Sequence, residues 1–234
     1  MARDNKHVVK IGGSLLFDDK LNVNTARIQE FVEFIKANLG RIDAVVVGGG
    51  KVARLYINNI KAIHANEAMQ DRLGIEVSRL NALALANLVG MDVAYQGVPA
   101  SIEELLRVKS AVPGKIVFLG GLEIGQSTTS VACEVAEALE RPLVIGTDVD
   151  GIYTKDPNKH KDAKKLDEVT PVEAARILDL ANFSNQQAGE YRILDNVSLG
   201  IISRSKIPVR IVKGETKALA AALAGEKIGT FVRC

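Results

Sequence analysis

The chain has 234 residues, 47% of them apolar and 25% charged, with a formal net charge of +2. That size suits one large α/β domain or two closely joined lobes, and the near-neutral balance gives no electrostatic footprint for nucleic acid. Four Tyr, six Phe and no Trp offer few stacking platforms for single strands, and neither a membrane-length apolar run nor a secretory signal is read.

The run Val8–Ile11 predicts a first strand, which ends in Gly12-Gly13-Ser14 with Lys10 just before the turn. Ile28, Phe31, Val32 and Ile35 recur at helical spacing and predict a helix over Asn24–Asn38. A second strand, Ala44–Val47, ends in Gly48-Gly49-Gly50-Lys51, with Arg54 one helical turn later in a helix over Lys51–Ala62. A long helix spans Glu76–Val89, with Val77, Leu80, Leu83, Ala84 and Leu88 on one face. Val93–Tyr95 predicts a short strand, Ile102–Val108 a helix and Ile116–Leu119 a strand. That strand ends in Gly120-Gly121 and runs on to Gly125-Gln126-Ser127-Thr128-Thr129.

A helix over Thr129–Leu139, with Thr128 as its cap, leads to the strand Leu143–Gly146, whose continuous apolar residues are the pattern of a strand covered on both faces. The chain then turns polar at once, with Thr147, Asp148, Asp150 and Tyr153, and a charged loop follows over Lys155–Lys165. Pro171–Leu180 predicts a helix capped by Thr170. Asn196–Ser205 and Lys217–Leu223 predict two more helices, Val209–Val212 a strand, and Ile228–Val232 a strand that closes the sheet. Cys133 lies in an apolar helical stretch and reads as core; Cys234 ends the sequence. Two cysteines make neither a disulfide framework nor a metal spacing, and a reducing cytoplasm is the expected compartment. His7, His64 and His160 share no metal spacing either.

Alternating strands and helices predict a parallel sheet flanked by helices. No linker or internal repeat divides the chain, and a soft boundary falls near residue 142. In such sheets ligands bind beyond the carboxyl ends of the strands. There an Asp accepts hydrogen bonds from ribose or an adenine amino group, and a Tyr lies against a base, so the Thr147–Pro157 stretch predicts a nucleotide site. One Gly pair after a strand serves any tight turn. Three in register, two with a nearby Lys or Arg, point to phosphate bound by backbone amides. None fits GxGxxG or GxxxxGK[ST], which leaves out Rossmann and P-loop readings.

Taken together, Lys10–Ser14, the VVGGGKxAR run at Val46–Arg54 and TDVDGIYTKDP at Thr147–Pro157 resemble the amino-acid kinase superfamily. Asp71–Ile75, Ser78–Ala82, Gly120–Thr128 and Gln187–Asp195 resemble, within it, the archaeal UMP kinases. The resemblance covers essentially the whole chain. It implies a three-layer αβα sandwich with a mostly parallel central sheet, an acceptor lobe over 1–142, an ATP lobe over 143–234, and a homohexamer. It implies transfer of the γ-phosphate of ATP to UMP in pyrimidine nucleotide biosynthesis, with Mg²⁺ bound through the nucleotide phosphates.

Carried onto these positions, the resemblance makes Lys10 and Asp195 catalytic, Asp195 by orienting Lys10. It assigns ATP to Gly12, Gly13, Ser14, Gly50, Arg54, Thr147, Tyr153 and Asp156. It assigns UMP to Gly48, Gly49, Asp71, Leu122, Glu123, Ile124, Gly125, Gln126, Ser127 and Thr128. Local readings compete: Asp71 as a cap, Asp195 as the N-cap of the Asn196–Ser205 helix, Arg79 as a surface ion-pair residue. Two positions depart from the pattern. Thr129 stands where many relatives carry Asp, and Gly200 where many carry a lysine able to contact phosphate. The alternatives are a same-fold kinase for another small phosphate or carboxylate acceptor, and a binding or storage protein without catalysis.

Overall fold

The computed structural model describes residues 5–155, 157, 160–178 and 193–234. Its strands are β1 (His7–Ile11), β2 (Ile42–Val47), β3 (Val117–Leu119), β4 (Leu143–Thr147), β5 (Glu168–Val169), β6 (Val209–Lys213) and β7 (Thr230–Val232). Its helices are α1 (Thr25–Ala37), α2 (Gly50–Lys61), α3 (Glu67–Val89), α4 (Ile102–Ala111), α5 (Thr128–Ala138), α6 (Pro171–Ile177), α7 (Asn196–Ser205) and α8 (Thr216–Leu223).

The strands form one sheet in the order β3-β2-β1-β4-β6-β7-β5. Every pairing is parallel except β6 with β7. Consecutive apolar residues in the central strands face opposite ways into two separate cores. Val8, Val46 and Ile145 pack with Val131, Val135, Leu199 and Ile202 of α5 and α7. Val9, Val45 and Val144 pack with Phe31 and Ile35 of α1, Leu85 of α3 and Leu219 of α8. This is the expected three-layer sandwich with a mostly parallel sheet. Strands from before residue 142 make one half, those after it the other, and the halves join at the β1–β4 pairing. Among the described residues no helix is long and apolar enough to cross a membrane.

Several local expectations are corrected. α3 begins at Glu67, nine residues before the predicted start, because Asn66 caps it by accepting the Met69 N–H. Gly74 lies inside the helix where α2 comes close: a Cβ there would stand 3.3 Å from Ile57 Cδ1. The α3 face bearing Leu80, Leu83 and Leu88 is turned outward, at 64%, 37% and 55% exposure, while Ala82, Leu85 and Val89 face the sheet. Val93–Tyr95 is reduced to a single bridge, Ala94 to Ile116. The cap of α5 is Ser127, not Thr128. The sheet ends at β5, a two-residue strand too short to show in the sequence; the C-terminal strand β7 lies inside it. The Thr170 cap of α6 is observed as a full capping box with Glu173. Residues 179–180 of that predicted helix lie outside the described residues.

Candidate active site

The carboxyl ends of β1, β2 and β4 open onto one cleft, lined by the β1 and β2 glycine turns, α2, α3 and the start of α5. The two glycine turns pack backbone to backbone. A Cβ on Gly13 would overlap the Gly48 carbonyl and stand 2.6 Å from Gly50 N, and Gly50 itself has φ of +65°. Gly12, by contrast, has room: a Cβ there would meet Gly146 O at 3.4 Å. α2 starts beside these turns with Gly49 at its N-cap and no side chain on its first amides. That leaves N–H groups at a helix start facing the cleft, an anion-binding arrangement. Arg54, one turn along, donates to Ser14 Oγ at 3.0 Å and joins the two turns.

Lys10 lines the floor of the cleft, 3% exposed, as the charged residue in an apolar strand. Burial pushes its ammonium down to about 8, while the negative charge of Asp148 works in the opposite direction. Asp148 also lines the cleft, just past β4; its side chain accepts from Thr147 Oγ1 at 3.0 Å and its carbonyl from Lys213 Nζ.

The opposite wall is held from α3. Asp71 accepts the Gly125 N–H at 2.7 Å. Ser78 Oγ accepts the Gly121 N–H at 2.7 Å, and Arg79 Nε donates to Gly121 O at 2.9 Å. Asn81 Nδ2 donates to Gly48 O at 2.9 Å, so α3 grips the β2 and β3 turns together. Gly120 and Gly121 serve this contact: a Cβ on Gly120 would stand 2.7 Å from Arg79 Cα, and one on Gly121 2.9 Å from Ile75 Cγ1.

A family model described as the amino acid kinase family matches residues 5–213. The chain belongs to the amino acid kinase family. It is 41% identical to the uridylate kinase of Thermofilum pendens over 233 residues, 96% of each chain. It is 40% identical to that of Sulfolobus acidocaldarius over 209 residues, 88% of each. The solved structure of the Archaeoglobus fulgidus uridylate kinase matches with a TM-score of 0.81 at 30% identity, covering 97% of this chain and 99% of that one. The UMP kinase of Bacillus anthracis, at 17% identity and a TM-score of 0.78 over 98% of this chain and 96% of that one, shares the fold.

In this amino acid kinase the cleft brings together Lys10, Gly12, Gly13, Ser14, Gly48, Gly49, Gly50, Arg54, Asp71, Gln126, Ser127, Thr128 and Thr147. Other expected residues stand elsewhere. Leu122 is buried beneath the loop, and Glu123, Ile124 and Gly125 form its exposed rim. Tyr153 donates to Asp150 Oδ1 at 2.6 Å, beside Lys165, rather than lining the cleft. Asp156 and the Gln187–Tyr191 segment lie outside the described residues. Asp195 is buried behind the cleft wall, where it caps α7 with Ser198 and accepts from Ser127 and Ser130 of α5. The N-cap reading is thus observed, and the negative charge of Asp148 bears on the Lys10 ammonium. Arg79 does more than the predicted surface pairing: beside a 3.6 Å contact with Glu76 it grips loop carbonyls. Ser78, Asn81, Thr129 and Ser130 carried no assigned site role in the sequence, and Asp148 stood there only as part of the polar stretch after β4. Polar side chains set into the otherwise apolar runs of α3 and α5 were the signal for the first four. A Cβ at Gly200 would meet nothing within 4 Å, so α7 has open space at that position.

Proposed function

We propose that this chain is a UMP kinase, moving the γ-phosphoryl group of ATP to UMP to give UDP and ADP. The observation that carries the reading is the buried Lys10 ammonium in the cleft beside two interlocked glycine turns, in a chain that shares 41% identity with a uridylate kinase over nearly its full length. Phosphoryl transfer needs positioning and charge stabilisation more than covalent chemistry. A UMP phosphate oxygen forms the new bond to the γ-phosphorus as its bond to the bridging oxygen of ADP breaks. That oxygen is already anionic near neutral pH, so no general base is required, in keeping with Thr129 at a position where a carboxylate would serve an alcohol acceptor. Lys10 neutralises charge on the transferring group. The Gly13 and Gly50 amides, Ser14 and Arg54 hold the donor phosphates, while the Gly12 N–H is taken by the Gly146 carbonyl at 3.2 Å. Thr147 and Asp156 serve ATP from the 143–234 half; Tyr153, paired with Asp150 outside the cleft, would have to turn to join them. Gly48, Gly49, Asp71 and the 122–128 loop serve UMP from the 1–142 half.

Among the described residues no group of three His, Cys, Asp or Glu is placed to hold a metal ion. A donor set of this kind fits Mg²⁺ carried by the nucleotide phosphates, with Asp148 as the cleft carboxylate on the ATP half. Bound that way, the ion would supply positive charge to the donor phosphates. We place the enzyme in the cytoplasm, in pyrimidine nucleotide synthesis, as a homohexamer by resemblance. The outward α3 face with Leu80 and Leu88, and Tyr56 of α2 beside it, is apolar surface that such an assembly would cover. Light scattering on the purified chain measures this; a monomer removes it.

An ADP-release assay over UMP, CMP, acetylglutamate and isopentenyl phosphate tests the function, with UMP expected to lead by at least about tenfold. Asp71 gives a second expected result. One of its oxygens accepts the Gly125 N–H, and the residue lines the cleft. UMP is expected to be turned over about tenfold or more faster than dUMP, the worth of one charged hydrogen bond. Equal kcat/KM for the two would remove Asp71 from contact with the ribose.

A further inference from the structure

α5 and α7 are fastened to each other at both ends. At their carboxyl ends Glu137 accepts from Arg204 Nε at 3.0 Å and from the Ser205 hydroxyl. At their amino ends one carboxylate ties the two N-caps together. Ser127 is the N-cap of α5, its Oγ accepting the Ser130 N–H at 3.1 Å, and the same hydroxyl donates to Asp195 Oδ2. Asp195 is the N-cap of α7, its Oδ1 accepting the Ser198 N–H at 2.7 Å. Ser130, fully buried three residues into α5, joins the two caps by donating to Asp195 at 2.7 Å to Oδ1 and 2.9 Å to Oδ2. A serine at that helix position ordinarily bonds near its own cap or points to solvent; here it reaches a second helix.

The interlock spans the two halves of the molecule. α5 belongs to the first half and α7 to the second, and the first residues of α5, Ser127, Thr128 and Thr129, are cleft wall. A buried carboxylate carrying three donors has little freedom to rotate, and each donor fixes it against the others. We propose that Ser130 is a positioning residue: through Asp195 it fixes the start of α5, and so the acceptor-side wall of the cleft, against the second half of the molecule. This rests on the UMP kinase reading. Loss of the Ser130 hydroxyl leaves Asp195 with Ser127 and Ser198, frees it to turn, and lets the Ser127–Thr129 wall shift relative to the bound acceptor. The effect falls on UMP more than on ATP, because the β1 turn is held by contacts that do not involve Ser130, among them Arg54 on Ser14 Oγ.

The test uses the full-length enzyme. Ser130→Ala removes the donor, Ser130→Cys keeps the volume with a weak donor, and Arg204→Ala cuts the fastening at the other end of the same helix pair. Calorimetric UMP binding and the KM values for UMP and ATP are measured on each, beside melting curves. Both Ser130 variants are expected to weaken UMP binding about tenfold, the effect of losing one hydrogen bond to a buried charge. ATP KM and the Arg204→Ala values should stay near wild type. If Ser130→Ala does not fold, Ser130→Cys carries the comparison. Unchanged UMP binding in a folded Ser130 variant overturns the proposal, as does an equal loss in Arg204→Ala, which would make the effect general loosening. No UMP binding by the unaltered enzyme refutes the kinase reading itself.

Discussion

Lys10→Ala is expected to lower kcat about a hundredfold, since one charged donor lost from a dry site is worth roughly 3 kcal/mol of transition-state stabilisation. The affinity for UMP should change little, because the lysine acts on the group in transit. Lys10 lies on the β1 face that α5 covers, alongside Val8, and its ammonium emerges at the strand end between the halves. Steady-state kinetics on the variant, with UMP binding measured separately, checks both parts; unchanged kcat would make the lysine a bystander. The pH dependence follows with a definite sign. Burial pushes the ammonium down to about 8, so the free enzyme carries the charge below that pH and loses it above. The kcat/KM profile, which reports free-enzyme groups, should therefore fall as pH rises through about 8. The kcat profile should hold to higher pH, since bound phosphates favour the charged form. Asp148→Asn removes the charge that holds the ammonium up and should move the kcat/KM break to lower pH.

The residues at the centre of the cleft were legible because they contradict their surroundings. A lysine in a strand otherwise buried on both faces needs an anion, and glycine pairs repeated at three strand ends need a common cause. The glycines turned out to have two causes, which sequence alone merges. Those of the β1 and β2 turns interlock at the cleft, whereas Gly120 and Gly121 let α3 approach the β3 end. The orientation of α3 was not legible, because the helix carries two apolar faces and only packing decides between them. The larger leucines at 80, 83 and 88 suggested one face; small Ala82 and Ala86 beside Leu85 and Val89 allow the close approach that sets the other inward. The partners of Asp195 were hidden for a different reason. A hydrogen bond from Ser130 crosses 65 residues of chain, and nothing local distinguishes that serine from one satisfied within its own helix. The N-cap reading needed only the next three residues, which is why it was available from the start.

Gly13→Ala is expected to be the most damaging single methyl in the cleft, and Gly12→Ala, one residue away, separates the reasons for glycine there. At position 13 the new Cβ overlaps the Gly48 carbonyl and lies 2.6 Å from Gly50 N, both backbone atoms that no rotamer change can clear. The β1 and β2 turns must part. Overpacking of this kind costs about 1–3 kcal/mol or more, so the melting temperature should fall by roughly 5–10 °C for a chain of this length. Turnover should fall at least about a hundredfold, because the separated turns no longer present their amides to the phosphates. At position 12 the nearest backbone atom is 3.4 Å away and the Lys10 ammonium 3.8 Å. That methyl fits the fold but stands in the cleft beside the lysine. Gly12→Ala should melt within about 2 °C of the unaltered enzyme, in the range of a tolerated surface change. Its cost should appear in kcat and in KM for ATP instead. Melting curves and kinetics on both variants decide the matter. A Gly13→Ala enzyme with native melting and turnover would show that the two turns are free to separate. Equal thermal losses in both would mean that Gly12, too, is there for the fold rather than for the phosphate.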